Sequence, residues 1–190
     1  MAKMESTFAN MVLVLTAIAL ISALLLGFTH LQTAERIAEN RAARQRAALE
    51  VVLPEFDNDP MEEAYEIESI ERLLFHPATF EDEPIGLAIR TYSRQAYGGE
   101  LQLMVGFSPD GIITGVQVLQ HSETPGLGDA ITRDRFLKQF RDIDPREFDL
   151  RASVDNGDID TITAATISTR AVADAIRRAV DAFEKVEGAQ

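Results

Sequence analysis

The chain has 190 residues, no cysteine and a formal charge of −13, enough length for one globular domain plus an appendage. Without cysteine there is no disulfide, no cysteine-ligated iron–sulfur cluster and no thioether-linked haem or flavin. Residues 1–53 carry 5 basic and 4 acidic side chains and residues 54–190 carry 13 basic against 27 acidic, a net −14 that excludes nucleic acid and anionic headgroups as partners of that part.

From Ser6 to Ala34 there is no Asp, Glu, Lys or Arg, and within Phe8 to Phe28 only Asn10, Thr16, Ser22 and Gly27 interrupt the apolar run. About 20 such residues cross a bilayer as a helix. The run exceeds the apolar core of a signal peptide and lacks a small-x-small site at its end, Ala17-Ile18-Ala19 lying mid-run. An uncleaved transmembrane anchor over residues 1–30 is therefore predicted. Only Lys3 precedes the span, whereas Arg36, Arg41, Arg44 and Arg46 follow it. Charge alone would place the rest of the chain in the cytoplasm.

Leu31 to Leu53 is rich in Ala, Arg, Glu and Gln and stops at Pro54, which predicts a helical connector. Glu55 to Glu71 then carries eight acidic residues and no basic one, the pattern of a solvated face. Connector and acidic stretch fill residues 31–69, leaving 70–190 for the folded domain. Ile70–Leu74 and Ile85–Ser93 read as the start of a sheet. Leu101, Leu103, Val105 and Phe107 alternate with Gln102, Met104 and Gly106, and after Pro109-Asp110-Gly111 a second strand returns over Ile113–Leu119. Arg133–Phe140 reads as a short helix. In the last helix Val172, Ile176, Ala179, Val180 and Phe183 form one stripe, while Arg170, Asp174, Arg177, Arg178, Asp181 and Glu184 face water. Strands with helices at both ends predict an α+β fold: one N-terminal transmembrane helix, then an antiparallel sheet flanked by helices.

Two segments carry chemistry. Asp160-Thr161-Ile162-Thr163-Ala164-Ala165-Thr166 puts a hydroxyl on small-residue backbone before a helix expected to open at Ser168-Thr169-Arg170. Free amides and the helix dipole favour an anion there, and Ser168 and Thr169 can cap the helix while facing it. His121-Ser122-Glu123-Thr124-Pro125-Gly126-Leu127-Gly128 is a turn whose Pro fixes φ and whose glycines admit a flat ligand close to backbone. Ser122 lacks the setting of a nucleophile elbow, no dinucleotide or P-loop pattern occurs, and His30, His76 and His121 are scattered. No catalytic group and no metal site are expected in this chain.

These two blocks, in this order, resemble the FMN-binding subunit family of Rnf-type and Na+-translocating NADH:quinone reductase complexes. Asp160, Thr163, Ala165 and Thr166 match its flavinylation motif, and Ala164 stands where the family usually has Gly. That departure is tolerable unless the position needs φ > 0. The resemblance implies FMN held covalently as a phosphoester on Thr166, with Asp160 a recognition residue, Thr163, Ala164 and Ala165 the close-approach segment, and Ser168 near the phosphate. Glu123, Thr124, Leu127 and Gly128 are implied to line the flavin. It implies maturation by a separate flavin transferase and partnership with other membrane, iron–sulfur and flavin subunits. The role implied is that of the G subunit of an Rnf-type complex, relaying electrons between ferredoxin and NAD(H) to drive ion translocation, with the FMN domain on the periplasmic side of the inner membrane. The C subunit of the Na+-translocating reductase and a stand-alone flavin-binding or scaffold module are the alternatives.

Overall fold

The computed structural model describes residues 7–67 and 72–187. The chain divides into two compact units, residues 1–43 and 44–190. The first is carried by helix α1, Phe8–Val52. Its apolar part is exposed on every side, from Phe8 and Leu13 to Leu26 and Leu31. A helix apolar all round has no core face to bury in water, and this one is long and apolar enough to cross a membrane.

The second unit is built on a four-stranded antiparallel meander in the order β1 (Leu74–Phe80), β2 (Glu83–Ala96), β3 (Gly99–Phe107), β4 (Ile113–Gln120). The expected sheet start at Ile70 lies outside the described residues. One face, with Phe75, Ile89, Leu103, Val105 and Phe107, packs on the final helix α3, Thr166–Glu187. Thr91 Oγ1 donates to Ala175 O (2.9 Å) and Ser93 Oγ to Asp174 Oδ2 (2.7 Å), tying α3 to β2. Asp174 therefore does not face water as its place beside the apolar stripe suggested; its side chain is only 14 % exposed.

The opposite face is covered too. Ala48, Leu49, Val52 and Leu53 pack on Ala78, Ala88 and Met104. Gly106 makes this possible, because a Cβ there would lie 2.0 Å from Val52 O. Thr114 Oγ1 donates to the same carbonyl and satisfies one of the helix's last acceptors. The end of the connector helix is thus a layer of the domain. Arg133–Phe140 is not one helix either: a 3-10 turn over Gly128–Thr132 precedes a single α turn, α2 (Asp134–Leu137), and a second 3-10 turn over Lys138–Phe140. Phe136, Leu137 and Phe140 still point into the core, as their spacing predicts.

Candidate functional site

Glu123 is the fastening point of the site. Only 5 % exposed, its carboxylate accepts from Ser168 Oγ (2.7 Å) on α3 and from Gly98 N–H (3.2 Å) in the β2–β3 turn. Its own N–H donates to His121 Nδ1 (3.2 Å). Three segments distant in sequence meet at one buried carboxylate. Gly128 completes the knot, since a Cβ there would come within 2.3 Å of Glu123 Oε2 and 2.8 Å of Ser168 Oγ.

The 160–166 segment is held on the adjoining surface by side chains. Asp160 N–H donates to Gln139 Oε1 (2.7 Å), Thr161 N–H to Ser153 Oγ (3.2 Å) and Ile162 N–H to Thr169 Oγ1 (3.2 Å). Ala165 N–H returns to Ile162 O (3.0 Å), closing a four-residue turn whose third residue, Ala164, has φ +63°. A positive φ at that one position is the demand of a type II turn, and it favours Gly. Helix α3 begins at Thr166, two residues earlier than expected. Its first i→i−4 bond is Thr169 N–H to Ala165 O (3.0 Å), so the amides of Thr166, Ile167 and Ser168 form the open N-terminal turn. Ser168 and Thr169 lie inside that turn and do not cap it, their hydroxyls going to Glu123 and Ala165 O. Arg170 is occupied by Asp155, at 2.7 and 2.6 Å, and this pairing holds the Asp155 carboxyl below its ordinary range.

Beside the turn lies a cleft of about 520 Å3 lined by both motifs: Gly126 and Leu127 from one, Asp160, Thr161, Ile162 and Thr163 from the other. Its remaining wall is Ala130, Arg133, Arg135, Phe136, Gln139 and Ser153. The size falls in the range of ligand sites, and apolar Leu127, Phe136 and Ile162 with a few polar groups form the lining expected for a flat, amphipathic ring system. The residues present fit a flavin. Of the residues expected to hold it, Leu127, Asp160 and Thr163 line the cleft. Thr124 and Ala164 are exposed beside it, Thr166 is half-buried at the helix start, and Ala165 is buried. Glu123, Gly128 and Ser168 are packed into the knot behind. Sequence reading passed over Arg133, Arg135 and Gln139, because their segment looked like an ordinary short helix with a core stripe.

An FMN-binding domain family matches residues 96–181, and the RnfG N-terminal region family matches residues 3–52. The G subunit of the ion-translocating oxidoreductase complex of Vibrio cholerae serotype O1 (strain M66-2) is 32 % identical over 182 residues, spanning 89 % of this chain and 87 % of that protein. Its namesake in Methanosarcina acetivorans is 32 % identical over 183 residues, covering 94 % and 96 %. The crystal structure of Shewanella oneidensis NqrC superposes with a TM-score of 0.45 at 20 % identity, covering 62 % of this chain and 61 % of that one.

Proposed function

The chain belongs to the G-subunit family of ion-translocating oxidoreductase complexes, and from that premise we propose that it is a membrane-anchored electron relay carrying FMN as a phosphoester on Thr166. The observation that carries the proposal is the meeting of Leu127 with Asp160–Thr163 around one cleft, three residues before a helix that opens on Thr166. FMN, when bound, supplies one- and two-electron chemistry, and the protein's share is to hold and tune it. Thr166 offers a hydroxyl at the point where free helix amides and the helix dipole favour a phosphate. Leu127, Phe136 and Ile162 supply apolar contact for the ring and exclude water from its faces. Glu123 keeps the 121–128 loop, the Gly98 turn and the first turn of α3 in one arrangement without being spent on the ligand.

A separate flavin transferase attaches the group. The bond formed joins Thr166 Oγ1 to the FMN phosphorus, and the pyrophosphate bond of FAD breaks with AMP leaving. Asp160 and Thr163, both exposed, are available for that enzyme to read. The complex couples ferredoxin and NAD(H) to ion movement, and the FMN domain faces the periplasm. Replacing Thr166 with Ala in the intact chain, co-expressed with the transferase, is expected to abolish flavin fluorescence in a denaturing gel while membrane assembly persists. Fluorescence that survives denaturation in T166A would falsify the attachment.

A further inference from the structure

The 130–139 wall of the cleft brings two guanidinium groups, Arg133 and Arg135, against one carboxylate, Asp160, so the lining is net positive within a unit that is strongly acidic. Arg133 already has a partner, its Nη2 lying 3.6 Å from Asp129 Oδ1. Among the described residues Arg135 has no carboxylate within ion-pair distance. It sits in the turn of α2 next to Phe136, whose buried ring fixes that backbone at the cleft's apolar wall. A guanidinium lining a space that suits an aromatic ring system, with no carboxylate of the described residues in ion-pair distance, interacts most strongly with whichever form of that ring carries negative charge. Reduced flavin is the more negative form, and charge near its ring is one of the protein's means of setting its potential.

From this, and resting on the flavin reading above, we infer that Arg135 is the positioning charge of the site: it stabilises the reduced flavin over the oxidised one and so raises the midpoint potential of the carrier. Arg133 shares its charge with Asp129 and contributes less. The role differs from phosphate capture, which belongs to the α3 amides at Thr166, a residue outside the cleft lining.

The test uses the full chain loaded with flavin in the cell and purified in detergent. Covalent flavin is measured by in-gel fluorescence and the midpoint potential by redox titration, for wild type, R135Q, R135K and K138Q. Lys138 lies three residues on, exposed and outside the lining, so K138Q removes the same net charge without touching the cleft. R135Q is expected to keep its flavin and lose about tenfold in the preference for the reduced form, ~30 mV for a two-electron couple. R135K and K138Q should stay close to wild type. An unchanged potential in R135Q overturns the inference, as does an equal shift in K138Q, which would assign the effect to bulk charge. Failure of R135Q to load flavin also overturns it, since Arg135 would then serve capture. Titration of T166A protein with riboflavin and with FMN separates ring from phosphate: adding R135Q should weaken the reduced form of both ligands, and an effect confined to FMN overturns the inference. A wild-type chain that takes up no flavin fails the attachment reading itself, a result distinct from all of these.

Discussion

Ala164 holds φ at +63°, a conformation that costs an L-residue with a Cβ about 1–2 kcal/mol. The turn closed by Ala165 N–H on Ile162 O imposes it, and Gly would adopt it without strain. Because Gly also adds freedom to the unfolded chain, the net gain of A164G is expected to be about 0.5–1 kcal/mol, read as a higher urea midpoint for the detergent-solubilised protein. A lower midpoint would mean that the turn does not hold Ala164 in this geometry. The unusual Ala was visible in the sequence, but its consequence was not, since φ is set by a hydrogen bond that spacing alone does not reveal. Ser168 and Thr169 show the same limit. Hydroxyls near a helix start read as caps, yet the partner of Ser168 lies 45 residues away on Glu123. His76 is the third such case: fully buried, it donates from Nδ1 to Pro60 O (2.8 Å), and its Nε2 has no partner among the described residues. Burial pushes its pKa below the ordinary 6.5; the bond to Pro60 O pulls it back up, and Arg90 adds to the lowering. The unfolded chain therefore takes up a proton at higher pH than the folded one does, so this contribution is intact above about pH 6.5 and is lost as pH falls through the folded value. Thermal scans between pH 7.5 and 5.5 should show a steeper loss for wild type than for H76L, even though H76L starts lower. Parallel slopes would remove His76 from the acid response.

At the scale of elements, periodicity located the hairpin and the apolar stripe of α3, because each depends on neighbours three, four or two residues away. It did not find the second covered face of the sheet, which depends on what the end of α1 does. The alternation in β3 says nothing of what covers Met104 and Gly106, and the arrival of Val52 makes them an interface. G106A is expected to cost about 1–3 kcal/mol, since the new methyl meets a backbone carbonyl at 2.0 Å and the helix end must lift. The same substitution at Gly115, which has no positive φ and whose Cβ would meet nothing nearer than 3.4 Å, supplies the contrast. Comparable losses at the two sites would argue against the close approach. The segment after Gly128 showed its core residues by spacing, but the short turns that carry them did not follow from it, and Gln139 acquires meaning only when Asp160 N–H is found on it.

For the whole molecule, composition separated the apolar, nearly neutral residues 1–53 from the acidic remainder, whereas the compact units divide at residue 43/44, because the end of α1 packs on the sheet. The membrane anchor was legible because a span needs only length and apolarity, whereas its orientation rests on charges that conflict with the family's expected topology. The absence of cysteine makes the test of orientation clean. D110C places a single thiol on an exposed turn, and with the domain in the periplasm it should react with an impermeant maleimide in intact spheroplasts. Labelling that appears only after lysis would reverse the topology. The Glu123 knot has a further consequence in time. Bringing Glu123 to Ser168 closes a loop of 45 residues, and bringing it to Gly98 closes another of 25; the β3–β4 hairpin supplies the shorter closure, whereas the contact with Ser168 rewards the chain only once α3 has docked on the sheet. Local helices and the β3–β4 hairpin can form early, but the arrangement behind the cleft belongs to the last steps of folding. Under the attachment proposed above, Thr166 meets its transferase either before this arrangement exists or after it is complete, and the order of those two events becomes a property of folding kinetics.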